Sequence, residues 1–190
     1  LYLQRLDRDG NLTFPLQGMA ASTEPQPSSL VDWSMIAASN GDAILVFTDS
    51  RAGSDRDVYA LRVSPTGDQL WGATGITLSA NDNFEAAPVV AELSDGSFAV
   101  VWSRSNQAPV QPGLMAQRLS ASGVPQYAQP LVIAGNGTES PAFSQVIASD
   151  NGAYIVEYLR DTTSFPSPRH LRGQKFDSAG SPQWNAGTPI

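Results

Sequence analysis

The densest group of acidic side chains in the sequence lies in one loop and consists of Asp49, Asp55 and Asp57. Ca²⁺ binds six to eight oxygen ligands in proteins, so such a loop can supply several of them. Arg51 and Arg56 stand in the same loop and can neutralise the acids without a metal. We keep both interpretations, a Ca²⁺ site and a turn held by salt bridges, and favour the second. We expect no other cofactor.

His170 is the single histidine, and the chain contains no cysteine with which it could share a metal. The nucleophile-elbow pattern Gly-x-Ser-x-Gly is absent from the sequence, and a surface histidine is the favoured interpretation. Binding residues are often found on variable loops of a rigid scaffold. The loops Gln107–Gly113 and Thr162–Arg169 vary most, and they make Gln107, Phe165 and His170 the candidates for contact with a partner.

The composition excludes several classes of protein. The chain has 190 residues, of which 11 are basic and 18 acidic, and the net charge is −7. This balance, without a basic run, argues against nucleic acid as a partner. No stretch approaches the roughly 18 apolar residues of a membrane-spanning helix. The absence of cysteine excludes a disulfide framework, while 41% hydrophobic residues suffice for a buried core.

A repeat of about 56 residues dominates the sequence, and three of its columns recur four times. The first column holds a cation, and its members are Arg5, Arg62, Arg118 and Lys175. The second column holds a glycine, and its members are Gly10, Gly67, Gly123 and Gly180. The third column holds an aromatic residue four positions later, and its members are Phe14, Trp71, Tyr127 and Trp184.

Each repeat also contains hairpin patterns. The segments SNGDAILVF, SDGSFAVVW and DNGAYIVEY place Asn-Gly or Asp-Gly turns before short apolar strands at Ala43–Phe47, Phe98–Trp102 and Tyr154–Tyr158. A candidate strand precedes each hairpin, at Ser34–Ala38, Pro88–Glu92 and Ser144–Ala148. Four antiparallel strands per unit is typical of a β-propeller blade. A β-solenoid is the alternative, whereas a β-sandwich needs roughly 100 residues per domain.

The phase of the repeat predicts an all-β partial β-propeller over residues 1–190, with about three and a half blades. We expect a half blade at 1–24 and full blades at 30–80, 86–134 and 141–190. Propellers usually have four to eight blades. We therefore expect the segment to be part of a larger propeller, with a second chain that completes the ring as the alternative.

The recurring cations allow two interpretations. A ring of positive charge formed by Arg5, Arg62, Arg118 and Lys175 could bind an anionic ligand. Alternatively, each cation stacks on an aromatic ring of a neighbouring strand and pairs with a carboxylate. Repetition in every blade favours the structural interpretation. Lys175 lacks the planar fork of arginine, so its blade should be held least well.

The segments SDGSFAVVW and VYALRVSPTGDQLW resemble a repeat of large secreted bacterial proteins. The resemblance covers nearly the whole chain and implies a propeller in an extracellular or cell-surface protein, without implying catalysis. The turns SPTGDQLW and DSAGSPQW are also similar to the Asp-box of sialidase-type propellers, although their glycine stands four residues before the aromatic. An Asp-box is a structural turn.

These observations favour a non-catalytic binding or scaffolding propeller, whose partner is another protein or the remaining part of the same propeller. The alternative is a glycan-binding protein or glycoside-active enzyme of propeller type, with site residues partly outside this segment. An enzyme should have a pocket on the central axis in which three or more charged residues from different blades converge. A scaffold should have nearly equivalent blades that differ only in their outer loops.

Overall fold

The computed structural model describes residues 1–24, 32–53, 55–105, 112–135, 139–162, 169–184 and 188–189. This part of the chain is nearly all β, with one short 3₁₀ turn at Asp150–Gly152. Its strands form one two-stranded and three four-stranded sheets. Within the described residues no helix is long and apolar enough to cross a membrane.

The sheets follow one another along the chain. The half-blade contains β1 (Tyr2–Leu3) and β2 (Met19–Ala20). Blade 1 contains β3 (Trp33–Ala37), β4 (Ala43–Asp49), β5 (Asp57–Val63) and β6 (Ile76–Thr77). Blade 2 contains β7 (Glu85–Glu92), β8 (Phe98–Arg104), β9 (Gly113–Leu119) and β10 (Leu131–Ala134). Blade 3 contains β11 (Glu139–Ala148), β12 (Tyr154–Thr162), β13 (His170–Phe176) and β14 (Thr188–Pro189).

Each full blade is an antiparallel meander whose strands pair in chain order. The first strands of successive blades contact one another, β3 with β7 and β7 with β11, as strands around a propeller axis do. The predicted all-β partial propeller is therefore confirmed. Each blade has a turn end, with the tight turns between its first and second and its third and fourth strands. At the opposite end, called the loop end, the second strand is joined to the third and the chain passes to the next blade.

The hydrophobic core is divided into three parts, each between two neighbouring sheets. In β4, Ile44 and Val46 belong to the core between blades 1 and 2. Leu45 and Phe47 belong to the core between the half-blade and blade 1. Because alternate residues of a strand point to opposite faces, a strand covered on both sides is apolar throughout. This burial explains the unbroken apolar runs in the sequence.

Two inner strands begin earlier than their patterns predict. β7 begins at Glu85 rather than Pro88, and β11 begins at Glu139 rather than Ser144. The pairing of β7 with β8 shifts between Ala86 and Val89, and Ala87 adopts a φ of 50°. Such a bulge interrupts the alternation by which a strand is recognised in a sequence.

The recurring glycine and aromatic columns meet between blades. Gly123 of blade 2 has a φ of +86°, and its Cα lies against Trp71 of blade 1. A Cβ at this glycine would overlap Ile76 Cδ1 and stand 2.8 Å from Trp71 Cδ1. Gly67 meets Phe14 and Gly180 meets Tyr127 in the same way. The recurring glycine and the recurring aromatic residue thus both take part in contacts between one blade and the next.

The recurring cations also reach from one blade to the next. Arg62 donates from Nε to Asp42 Oδ2 at 2.6 Å within blade 1. Its Nη1 donates to the backbone oxygen of Ala121 in the turn of blade 2. The equivalent bonds across the other two junctions run from Arg5 to the oxygen of Pro65 and from Arg118 to that of Ser178. At each junction, the arginine of one blade donates to a carbonyl of the next blade, and the aromatic residue of the first blade packs on the glycine of the next. We call this pair of contacts the interlock.

We predict that Gly123→Ala destabilises the protein more than Gly10→Ala. Both glycines have nearly the same φ, +86° and +84°, so alanine costs about 1 kcal/mol of backbone strain at either. A Cβ at Gly10 meets no described atom within 4 Å, whereas at Gly123 it overlaps two side chains. The clash should add roughly 1–3 kcal/mol. Equal loss of unfolding free energy in urea would contradict the interlock.

We also predict that Arg62→Lys lowers the free energy of unfolding by about 1–2 kcal/mol, because an ammonium cannot hold Asp42 and the Ala121 carbonyl in one planar arrangement. The matched control is Arg8→Lys, since the Arg8 side chain is 92% exposed. That variant should change stability by less than about 0.5 kcal/mol. Urea denaturation of the two variants measures the difference, and similar midpoints would argue against a role for the guanidinium fork.

Candidate functional site

Three carboxylates converge at the loop end of the junction between blades 1 and 2. Asp57 begins β5, Asp55 lies two residues before it, and Glu85 begins β7. A backbone hydrogen bond of 3.0 Å from Glu85 N to Arg56 O ties the two segments together. One oxygen from each carboxylate lies within 4.8 Å of the others. We call Asp55, Asp57 and Glu85 the acidic cluster.

Asp49 does not belong to this cluster. Arg51 Nε donates to both of its carboxylate oxygens, at 2.9 and 3.0 Å, and Arg51 Nη2 adds a bond of 2.5 Å. The guanidinium lies over the ring of Tyr59, 4.0 Å from its centroid. The grouping of Asp49 with Asp55 and Asp57 as metal ligands therefore needs correction, because the charge of Asp49 is already matched by Arg51.

The acidic cluster is only partly hydrogen-bonded. Asp57 Oδ1 accepts from the backbone N–H of Asn81 at 3.1 Å, and Glu85 Oε1 accepts from Asn81 Nδ2 at 2.9 Å. The other oxygens, Asp57 Oδ2 and Glu85 Oε2, are buried and have no hydrogen-bond partner among the described residues, and Asp55 Oδ2 is in the same situation. Asp57 is 0% and Glu85 1% exposed. Buried oxygens of this kind call for a proton or a cation.

Burial shifts the ionisation of the cluster. Burial, together with the charges of Asp57 and Asp55, raises the pKa of Glu85 to about 8, although the hydrogen bond from Asn81 and the charge of Arg104 oppose this shift. Arg104 is the residue paired with Glu85 across the β7–β8 ladder. Burial also raises the pKa of Asp57 to about 6. Without another positive charge, Glu85 therefore retains its proton at neutral pH.

Two cavities adjoin the cluster, and both are lined by Asn81 and Ala80. The first, the acidic cavity, has a volume of about 270 Å³ and is lined by Asp55, Asp57 and Asp82. The second, the amide cavity, has a volume of about 370 Å³ and lies against blade 2. The polar and aromatic residues that line the amide cavity are Ser79, Asn81, Asn83, Glu85, Trp102, Arg104 and Gln129.

The amide cavity contains groups that are free to bind a ligand. Trp102 Nε1 is a buried donor with no hydrogen-bond partner in the described structure. Gln129 is exposed, and no hydrogen bond joins it to the other described residues. Met115 and Val132 supply an apolar part of the wall. The cavity thus offers donors, acceptors and an apolar surface together.

The remaining candidates from the sequence lie elsewhere. His170 is exposed at the start of β13, where it pairs with Arg160 in the ladder. Gln107 and Phe165 lie outside the described residues, so their role in binding stays a prediction. The recurring cations lie at the turn end, away from the cavities. Arg5, Arg62 and Arg118 bond to neighbouring blades, and Lys175 Nζ bonds to Asp150 within its own blade.

Glu85 and Asn81 are site residues that the sequence patterns do not single out. The apolar pattern predicts a strand only from Pro88, three residues after Glu85. The amide- and acid-rich run Asn81–Glu85, directly before a buried strand, was the available clue. A second omission is the glutamine before the recurring cation. Gln117 accepts from the backbone N–H of Tyr127 and donates to its carbonyl, and Gln174 does the same for Trp184.

The fold is shared with solved structures of larger enzymes. A thermostable family-43 glycoside hydrolase matches 98% of this chain and 71% of its own, with a TM-score of 0.51 and 15% identity. An endo-arabinase from Bacteroides thetaiotaomicron matches 80% of this chain and 61% of its own, with a TM-score of 0.54 and 12% identity. An N-acetylgalactosamine deacetylase from F. plautii, in complex with blood group B trisaccharide, matches 93% of this chain and 58% of its own, with a TM-score of 0.57 and 11% identity.

At these identities the likeness shows the fold alone. The chain spans about half to six-tenths of the length of the first structures it matches. No protein-family model matches it, and no curated protein does. The preference for a non-catalytic scaffold is nevertheless wrong, because the structures with this fold include glycan-active enzymes. The comparisons favour the alternative, a glycan-binding or glycoside-active propeller.

We predict that the chelator-treated protein loses stability as the pH rises from about 6 to about 8. The unfolded chain releases the Glu85 proton near its ordinary pKa of 4.5, whereas the folded chain holds it up to a pKa of about 8. The folded state therefore binds more protons in this window, so stability falls with rising pH. Glu85→Gln should flatten the dependence of the melting temperature on pH.

The control for this prediction is Asp9→Asn, because the Asp9 side chain is 68% exposed. Its melting temperature should follow the same slope as the wild type between pH 6 and 8. A wild-type melting temperature that rises with pH in this window would contradict the assignment of a buried, protonated Glu85.

Proposed function

We propose that this chain is part of a glycan-active β-propeller and that its amide cavity binds carbohydrate. The observation that carries the proposal is the composition of that cavity, in which unpartnered polar groups stand beside an apolar wall. The volume of about 370 Å³ lies within the range of small-molecule sites. The shared fold of arabinan- and galactosamine-modifying enzymes supports the same substrate class.

Carbohydrate hydroxyls both donate and accept hydrogen bonds, so they suit a wall that holds both kinds of group. The side-chain amides of Asn83 and Gln129 can each donate and accept. Trp102 Nε1 and the Arg104 guanidinium can only donate, while Glu85 supplies carboxyl oxygens. Met115 supplies the apolar contact that a sugar ring makes with its C–H face.

Hydrolysis of a glycoside by the acidic cluster alone does not fit its geometry. Paired carboxyl groups lie about 5–5.5 Å apart in retaining glycosidases and about 6.5–9.5 Å apart in inverting ones. Asp57 and Glu85 are buried, so the cluster does not present two accessible carboxyl groups on either side of a glycosidic bond. We therefore propose that catalytic groups lie partly outside this segment. An extracellular bacterial location, suggested by the resemblance to secreted repeats, is part of the proposal.

The proposal is tested by isothermal titration with two probes, a 1,5-linked arabino-oligosaccharide and blood group B trisaccharide. We expect saturable binding of at least one, and we expect Gln129→Ala to weaken it on the order of tenfold through the loss of one or two hydrogen bonds. Gln129 is exposed, so the variant should fold normally.

The matched control is Gln126→Ala, which removes an exposed amide three residues away that bonds only to the carbonyl of Val124. This variant should bind like the wild type. Absence of binding to either probe, or equal binding by the two variants, would refute the amide cavity as the glycan site.

A further inference from the structure

The acidic cluster holds more buried negative charge than its surroundings balance. Asp57 and Glu85 are at least nine-tenths buried, and each has one oxygen without a hydrogen-bond partner among the described residues. Asp55 Oδ2 is a third such oxygen. All three residues direct an oxygen to one place, where these atoms lie within 4.8 Å of one another. An unpartnered carboxylate buried in this way indicates a missing positive ligand.

The neighbouring cations are mostly engaged with other groups. Arg51 is held by Asp49. Arg56 lies 3.7 Å from Asp32 and over the ring of Phe84, at 4.2 Å from its centroid. Arg104, opposite Glu85 in the ladder, is the cation that faces the cluster. Three carboxylates beside one guanidinium leave a local charge of −2 when all are ionised, which one divalent cation balances.

The geometry and chemistry of the cluster distinguish among cations. The ligands are all oxygens, which suits the hard ions Ca²⁺ and Mg²⁺ rather than ions that prefer sulfur or nitrogen. Two oxygens bound to one Ca²⁺ at about 2.3–2.6 Å can be as much as roughly 5 Å apart. Mg²⁺ demands near-octahedral geometry and gives up its water ligands reluctantly, so a cluster of three protein carboxylates suits Ca²⁺ better.

The remaining coordination positions can be filled from the acidic cavity. Its volume of about 270 Å³ is ample for several water molecules, and Asp82 lines it. Ca²⁺ takes six to eight oxygens in an adaptable arrangement, so three carboxylates and several waters complete its shell.

We propose that Asp55, Asp57 and Glu85 bind a Ca²⁺ ion that joins blade 1 to blade 2. The ion balances the charge of the cluster and links the start of β5 to the start of β7. It therefore stabilises this junction in addition to the interlock at the opposite end. Asp55 and Asp57 line the acidic cavity, whereas Glu85 also lines the amide cavity. The two proposals are tested separately, because the effect of Ca²⁺ is measured without glycan.

The test begins with protein from which metals have been removed by a chelator. CaCl₂ is titrated while heat release and melting temperature are recorded. We expect one bound Ca²⁺ per chain and a melting temperature that rises by roughly 5–10 °C at a concentration about a hundredfold above the dissociation constant. MgCl₂ should give a clearly smaller rise. Absence of a Ca²⁺-dependent change in both measurements overturns the proposal.

Variants identify the ligands. Glu85→Gln and Asp57→Asn keep the size of the side chain, and each should weaken Ca²⁺ binding on the order of tenfold or more by the loss of a charged ligand. The matched control is Asp68→Asn, an exposed carboxylate that accepts hydrogen bonds from Ser64 and Thr66. It should bind Ca²⁺ like the wild type. Wild-type affinity in Glu85→Gln overturns the assignment of the cluster, even if Ca²⁺ binds elsewhere.

Discussion

The contact between one blade and the next is the interaction on which this structure depends. A four-stranded sheet that is apolar on both faces cannot be stable in water alone, so each blade needs a neighbour. The interlock fixes how neighbours meet. An aromatic side chain from one blade fits against a glycine without a Cβ in the next, and an arginine beside it donates to a carbonyl of the same turn. The packing of the aromatic residue on the glycine thus sets the distance between neighbouring blades, and the hydrogen bond from the arginine sets their register.

The loop end depends on this arrangement. Glu85 and Asp57 belong to different blades, and they meet because the two sheets are held side by side. At the turn end, three carboxylates are each paired with a recurring cation, Asp42 with Arg62, Asp95 with Arg118 and Asp150 with Lys175. At the loop end the acids outnumber the available cations. The two ends therefore have different roles, one that holds the blades together and one where a ligand can bind.

The sequence revealed the fold because the repeat supplies four copies of each pattern. Three columns at a constant period predict the blades, since a chance match in all copies is very improbable. The site was harder to predict. Asp55 and Asp57 stood out as an acidic loop, but their partner Glu85 is about thirty residues away in another blade, and spacing along one strand carries no information about it. The bulge at Ala87 also disguised the start of β7. Asp49 looked equivalent to its neighbours, and only the position of Arg51 separates it from them.

The acidic cluster has a consequence for the symmetry of the molecule. The residues that begin the third strands of the blades are Asp57, Gly113 and His170, and only the first is acidic. Duplication of one unit produces identical junctions, so any blade can pack beside any other. A junction that carries a carboxylate from each side is no longer interchangeable with the rest. Blades 1 and 2 have thereby become a specialised pair, and exchanging either for another copy of the repeat would preserve the fold but lose the site.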